Sequence, residues 1–114
     1  MDRTDLIFVG TFTFTTDDFL LKPPGPVNFI DVTLEGNLLQ TVNESGFNHK
    51  MVSIFGRMGE RVITGSVTVP SLIAKQVVTQ QNIAVRAFEI SQSGGSGSAL
   101  DNWLRAEREL LGLS

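Results

Sequence analysis

The chain has no cysteine, one histidine and one tryptophan among its 114 residues. Without thiols there is no disulfide, no thiolate zinc site, no iron–sulfur cluster and no cysteine nucleophile. His49 alone cannot build an imidazole metal site, and the paired acids Asp17-Asp18 are not followed by calcium-loop spacing. A Ser-His-Asp set can be written with Ser45 or Ser53, His49 and Asp31, but no Gly-x-Ser-x-Gly elbow accompanies it. Gly56-Arg57-Met58-Gly59-Glu60-Arg61 lacks the Gly-Lys-Ser/Thr ending of a phosphate loop.

Basic excess is missing as well. Nine basic against twelve acidic residues leave a net charge of −3. Such a balance carries no electrostatic footprint for nucleic acid and disfavours it as a partner. No stretch approaches the roughly 18–20 apolar residues of a membrane span. The opening Met1-Asp2-Arg3-Thr4-Asp5 lacks the positive segment of a signal peptide. The expectation is a soluble, cytoplasmic chain with no cofactor, no membrane partner and no catalytic or metal site.

What is present changes its period near Pro70. Before it the pattern alternates, as in strands; after it the spacing is near 3.6, as in helices. Leu6 to Thr15 places Phe8, Phe12 and Phe14 on one parity and threonines on the other. Lys22-Pro23-Pro24-Gly25-Pro26 is a stiff connection. Val27 to Leu34 alternates again, with Phe29 opposed to Ile30 and with Val32 and Leu34 on Ile30's parity. Glu35-Gly36-Asn37 predicts a hairpin turn and Leu38 to Val42 its return strand. Lys50 to Phe55 and Arg61 to Val69 are two further strands around a turn at Gly56 to Gly59. Gly10 and Gly65 mark bulges or sharp bends.

From Ser71 the chain reads as helical; Thr79 either caps a fresh helix or lies in one that runs straight through Gln80-Gln81-Asn82, and the helix ends in the glycine–serine tract at 93–98. The final helix starts at Ser98, has Asp101 in the capping-box position and stops at Gly112. At about 100° per residue, Leu100, Trp103, Leu104, Leu110 and Leu111 form one apolar arc. Glu107 lies in the middle of it.

The segment Ile83-Ala84-Val85-Arg86-Ala87-Phe88-Glu89-Ile90, a glycine loop, and Ala99-Leu100-Asp101-Asn102-Trp103-Leu104-Arg105-Ala106-Glu107-Arg108-Glu109-Leu110 resemble a bacterial helical-hairpin family, domain of unknown function 2934. The resemblance spans about residues 79–112. Phe88 stands where a tyrosine is usual, Ser91 where a second aromatic often follows, and Ser93 where an arginine often precedes the glycine. The resemblance implies a helical hairpin, and it brings no activity, cofactor or substrate.

These readings predict an α+β protein. Residues 1–70 form an antiparallel β-meander of about five strands, either a curled sheet or a small barrel, and residues 71–114 form a helical hairpin. The structural or interaction candidates are Arg86, Phe88, Trp103, Leu104 and Glu107. A carboxylate on an apolar arc needs a partner; Arg86 on the preceding helix is the expected one, clasping the hairpin, and the N-terminus of that helix, near Gln80 to Asn82, is the alternative. Trp103 is expected as a core anchor. The function expected is non-enzymatic: a structural or protein-interaction module whose partner is a second copy or another protein. The alternatives are a nucleic-acid-binding β-domain, with Phe8, Phe12 and Phe14 stacking bases and Arg57 and Arg61 on phosphates, and a small-ligand-binding barrel.

Overall fold

The computed structural model describes residues 5–14, 18–34, 36–44, 46–94 and 97–113, apart from the side chains of 41–44. The expected features at Met1 to Thr4, Thr15, Asp17, Glu35, Ser45 and Gly95-Ser96 lie outside these residues. The elements run β1 (Leu6–Phe14), β2 (Phe19–Lys22), β3 (Ile30–Leu34), α1 (Asn37–Glu44), β4 (Lys50–Thr64), β5 (Val67–Thr79), α2 (Gln80–Gln92) and α3 (Ala99–Leu110). The expected α+β architecture forms, with five strands closed into a barrel and a helical hairpin after it, but the sheet is mixed and its strands do not follow one another as the expected antiparallel meander.

Around the barrel the order is β1-β2-β3-β5-β4, and β4 returns to β1. Every pair is antiparallel except β3 with β5. A parallel pair needs a crossover, and α1 lies on that path between β3 and β4. Period-two patterning decides which face points inward. Phe12, Leu21, Val32, Val52, Ile54 and Leu72 fill the interior, with Phe8, Phe14, Phe19, Ile30 and Leu34 packed against them. The rings of Phe12, Phe14 and Phe19 meet at centroid separations of 5.1–6.0 Å. Phe47, in the loop after α1, is buried in the same core. That loop is tied to β1, where the Phe14 amide donates to Asn48 Oδ1 and the His49 amide to the Phe12 carbonyl.

The outer face of β4 and β5 carries a second core. Phe55 and Val78 pack against Ile83 and Ile90 of α2, Ala106 of α3 and Leu111 just beyond it. Each large apolar side chain buried there contributes about 1.5–3 kcal/mol, so the helices pack on the barrel rather than hang from it. The Ser98 cap forms as the spacing predicts, and at Thr79 a fresh helix starts, one of the two readings left open. Thr79 accepts from the Asn82 amide, and Ser98 with Asp101 completes a reciprocal capping box. Gly94 and Gly112, at φ 85° and 76°, follow the helix ends.

Several local expectations are corrected. Ser71 to Thr79 continues β5 instead of starting a helix, so the β-region extends to residue 79 and not 70. A register shift opposite Phe55 and Gly56 breaks the alternation, so Leu72, Ala74 and Val77 all face inward at a spacing that imitates a helix. Pro70 sits where β5 pairs with β4 and, among the described residues, with no other strand, a place that tolerates a missing amide hydrogen. Gly56 to Gly59 is not a turn: β4 runs through it, because a Cβ at Gly56 would meet the Ile73 carbonyl and only glycine allows that approach. The predicted return strand from Leu38 is helix α1, strand β2 forms at Phe19–Lys22 where none was expected, and the single strand expected from Arg61 to Val69 is split by the turn at Gly65.

Beyond Gly59 the β4–β5 hairpin leaves the barrel as an arm, turning at Gly65 with φ 55°. It contributes to the elongated outline of 55 × 32 × 30 Å. Val62, Ile63 and Val67 on the arm are exposed.

Candidate functional site

The sequence-predicted candidates all lie on the helical hairpin, and the structure deals with them separately. Glu107 is buried at 6% exposure. Its partner is not Arg86. Ser53 on β4 donates to Glu107 Oε2 at 2.6 Å, and Gln80 donates to the same hydroxyl at 2.7 Å. Arg86 instead reaches Glu109, with Nε and Nη2 at 2.9 and 2.8 Å from one carboxylate oxygen. The hairpin clasp therefore exists one helix position pair away from the expected one, and Glu107 fastens α3 to the barrel. The buried face of α3 is Asn102, Ala106 and Glu107, with Trp103 half-buried against the second core. Leu100 and Leu104 are exposed, because docking on two neighbours, β4 and α2, rotates the buried face away from the simple apolar arc. Phe88 is exposed beside a groove of about 400 Å³ that Ala87 and Trp103 also line. No chemistry-bearing group converges there.

Polar and charged groups converge on the other side, on the outer face of the barrel. The registers build it in rows. Met51, Thr11 and Lys22 lie side by side across β4, β1 and β2. Thr13, Leu20 and Asp31 follow across β1, β2 and β3, and Thr33, Ile73 and Arg57 across β3, β5 and β4. Phe29 precedes β3 on the parity of Asp31 and is 55% exposed. Lys22 is held by the proline-rich connection: its ammonium donates to the carbonyls of Pro23 and Gly25 at 3.3 and 2.9 Å. Carbonyls orient the ammonium without neutralising it. Arg57 is exposed.

The arm closes one side of this face through Arg61. Its Nε and Nη2 form a bidentate contact with Asp31 at 3.0 and 2.7 Å, and Nη2 also meets Asp18 at 3.0 Å. Ser71 donates to Asp31 Oδ2 at 2.6 Å, and the Ser71 and Thr33 hydroxyls are 2.7 Å apart. Burial pushes the Asp31 carboxyl up, but hydrogen bonds from Arg61 and Ser71 and the charge of Arg61 together outweigh it and hold it below its ordinary value. The same contact with Asp31 raises Arg61.

Phe8, Phe12 and Phe14, the stacking residues expected of a nucleic-acid-binding version, point into the barrel and are unavailable to bases. Phe29 is the solvent-facing aromatic that sequence reasoning passed over. Its signal was its parity, opposite to Ile30, Val32 and Leu34. His49 is exposed in a turn at φ 63°. Among the described residues no group of three or more His, Asp or Glu side chains is placed to hold a metal. No helix among them is long and apolar enough to cross a membrane.

No family model and no curated protein matches the chain. Solved structures do. Two crystal structures of the mitochondrial single-stranded DNA-binding protein Rim1 from S. cerevisiae, one of them selenomethionine-labelled, are 20% identical with a TM-score of 0.46. In both, the match covers 69% of this chain and 96% of the other. A third Rim1 structure is 15% identical at a TM-score of 0.44, covering 68% and 93%. These neighbours run against the expected structural or protein-interaction module and against the expectation that nucleic acid is disfavoured as a partner; both are corrected. With TM-scores below 0.5 the likeness by itself supports no function, and the case for binding has to come from the barrel.

Proposed function

We propose that this protein binds single-stranded nucleic acid along the outer face of β2 and β3, between the β1–β2 loop and the β4–β5 arm. The observation that carries the reading is the closed barrel in the order β1-β2-β3-β5-β4, with its helix between β3 and β4 and a long β4–β5 arm. It is the Greek-key arrangement of the OB-fold, in which the β2–β3 face and the loops joining strands 1–2 and 4–5 take oligonucleotides or oligosaccharides. A fold alone does not specify a ligand. Here the face adds an exposed aromatic, Phe29, and two cations that no carboxylate pairs with among the described residues, Lys22 and Arg57.

Each group has a task in this reading. Phe29 offers a ring to one base, and such stacking contributes about 1–3 kcal/mol whatever the base. Lys22 and Arg57 meet phosphates. The half-buried threonines of β1, Thr11 and Thr13, donate to sugar or phosphate oxygens. Duplex is disfavoured because its bases are already stacked and hidden from Phe29. The resemblance of residues 79–112 to a family without known activity adds nothing to this reading. The proposal is of binding without catalysis, and the cytoplasmic location expected from the sequence belongs to it.

The test is fluorescence anisotropy with a labelled oligothymidylate of about 15 nucleotides, long enough for one OB barrel. Two phosphate contacts predict that log K falls with log salt at a slope of about −1.4, and Phe29→Ala weakens binding roughly 5- to 100-fold. An unchanged anisotropy at about 100 μM protein and low salt, where even non-specific binders associate, overturns the reading.

A further inference from the structure

We infer that Arg61 is a third phosphate-binding group of this face, held shut by Asp18 and Asp31, so that the two carboxylates set how tightly the protein grips a nucleic acid. The inference rests on the reading of the face as a nucleic-acid interface.

A guanidinium binds a carboxylate and a phosphate through the same planar fork. Arg61 uses that fork on Asp31, and its Nη2 is shared with Asp18. Asp31 and Asp18 thus occupy the donors that a phosphate would take. The side chains are not sealed in: Arg61 is 32% exposed, Asp18 43% and Asp31 14%. A cavity of about 160 Å³ opens beside them, lined by Asp18, Phe19, Val32, Thr33, Leu34 and Arg61. At roughly 30 Å³ per water it has room for about five waters, and so for a phosphate group next to the guanidinium. Phosphate entry exchanges one ion pair for another with no covalent step.

The three residues also come from three parts of the face. Asp18 precedes β2 in the β1–β2 loop, Asp31 lies on β3, and Arg61 lies on the β4 side of the arm. The ion pairs therefore tie together the two loops that flank the proposed groove. A strand entering that groove between the arm and the sheet meets this tie. Releasing Arg61 opens the path and adds a cation; keeping it leaves two acids facing the phosphates.

Anisotropy with the same labelled oligothymidylate tests this on the wild type, Asp31→Asn, Asp18→Asn, each of these combined with Arg61→Gln, and Glu60→Gln. Asparagine at 31 keeps an acceptor for the Ser71 hydroxyl; Asp18→Asn leaves the Asp31 network intact should the other variant fail to fold. Glu60 is exposed on the arm and has no ion pair to Arg61, so it measures the effect of lost negative charge alone. One additional phosphate contact predicts binding tighter by roughly five- to tenfold at about 50 mM salt and a salt slope steeper by about 0.7. That gain should vanish in the Arg61→Gln combinations and exceed the gain from Glu60→Gln. A gain that survives Arg61→Gln, or only matches Glu60→Gln, overturns the inference while leaving the interface standing. If neither the wild type nor any acid-to-amide variant binds, the interface itself falls and this inference with it. Binding by the wild type that tightens in the variants supports both.

Discussion

Ser53 on β4 donates a 2.6 Å hydrogen bond to Glu107 on α3, across 54 residues of sequence, with both side chains buried. The contact crosses the boundary between barrel and helices. A hydrogen bond to a buried carboxylate is among the stronger kinds, and leaving that carboxylate without a donor costs about 3 kcal/mol. Ser53→Ala should therefore destabilise the protein more than Glu107→Gln, which keeps an acceptor and should cost under about 1 kcal/mol. Glu107→Ala should fall between them, since Gln80 still satisfies one side of the Ser53 hydroxyl. Urea unfolding followed at Trp103 checks the ranking. Equal midpoints for Ser53→Ala and the wild type would show that the bond does not hold the helices down.

The Arg86–Glu109 pair is the opposite case. Its side chains are 38% and 39% exposed, so water screens the attraction and competes for the donors. Arg86→Ala should cost less than about 1 kcal/mol, and about 0.5 M salt should erase most of the difference from the wild type. A loss as large as that of Ser53→Ala would mean that the hairpin depends on this clasp after all.

Glycines in this chain divide into those that allow a close approach and those that allow a turn. An added Cβ at Gly56 would meet the Ile73 carbonyl, and the strand cannot retreat from the backbone it pairs with. At Gly65 the Cβ would meet open space, and only the positive φ of 55° resists it. Gly56→Ala should abolish folding or cost several kcal/mol, while Gly65→Ala should cost about 1–2 kcal/mol. Thermal unfolding of the two variants side by side distinguishes them; near-equal melting temperatures would contradict the close approach.

Stability should fall with acid in a way that depends on Asp31. Its carboxyl is held below the ordinary 3.8. A depressed folded value means that the unfolded chain binds protons first. The stabilisation is therefore complete above about pH 4 and is lost as pH drops through the folded value. Urea midpoints between about pH 5 and pH 2 should decline less steeply in Asp31→Asn than in the wild type. Parallel profiles would place the acid sensitivity elsewhere.

Much of the architecture was legible in residue spacing. The shared parity of Phe8, Phe12 and Phe14, the parity of Ile30, Val32 and Leu34, and the caps at Ser98 and Gly112 are local patterns, and local patterns survive folding. The errors cluster where a neighbour intrudes. Ser71 to Thr79 imitates a helix because a bulge at Lys75, opposite Phe55 and Gly56 of β4, resets the alternation, and the partner that sets this register is not visible in the segment itself. Leu38 to Val42 is too short for its apolar spacing to separate strand from helix; the need for a crossover between β3 and β4 selects the helix.

The candidate site was less legible than the fold. Phe29 carried a weak signal in its parity. The meeting of Asp18, Asp31 and Arg61 carried none, since the residues lie 30 and 43 positions apart and come together only through sheet register and the reach of the arm. Sequence by itself determined that thiol chemistry is barred here, where β1 and the ends of α3 fall, and that Glu107 must find a buried partner. The tertiary structure alone decided who that partner is and which face of the barrel stays open. Both depend on which distant segments close against each other, and that is settled by the packing of the whole barrel, not by the order of residues along one element.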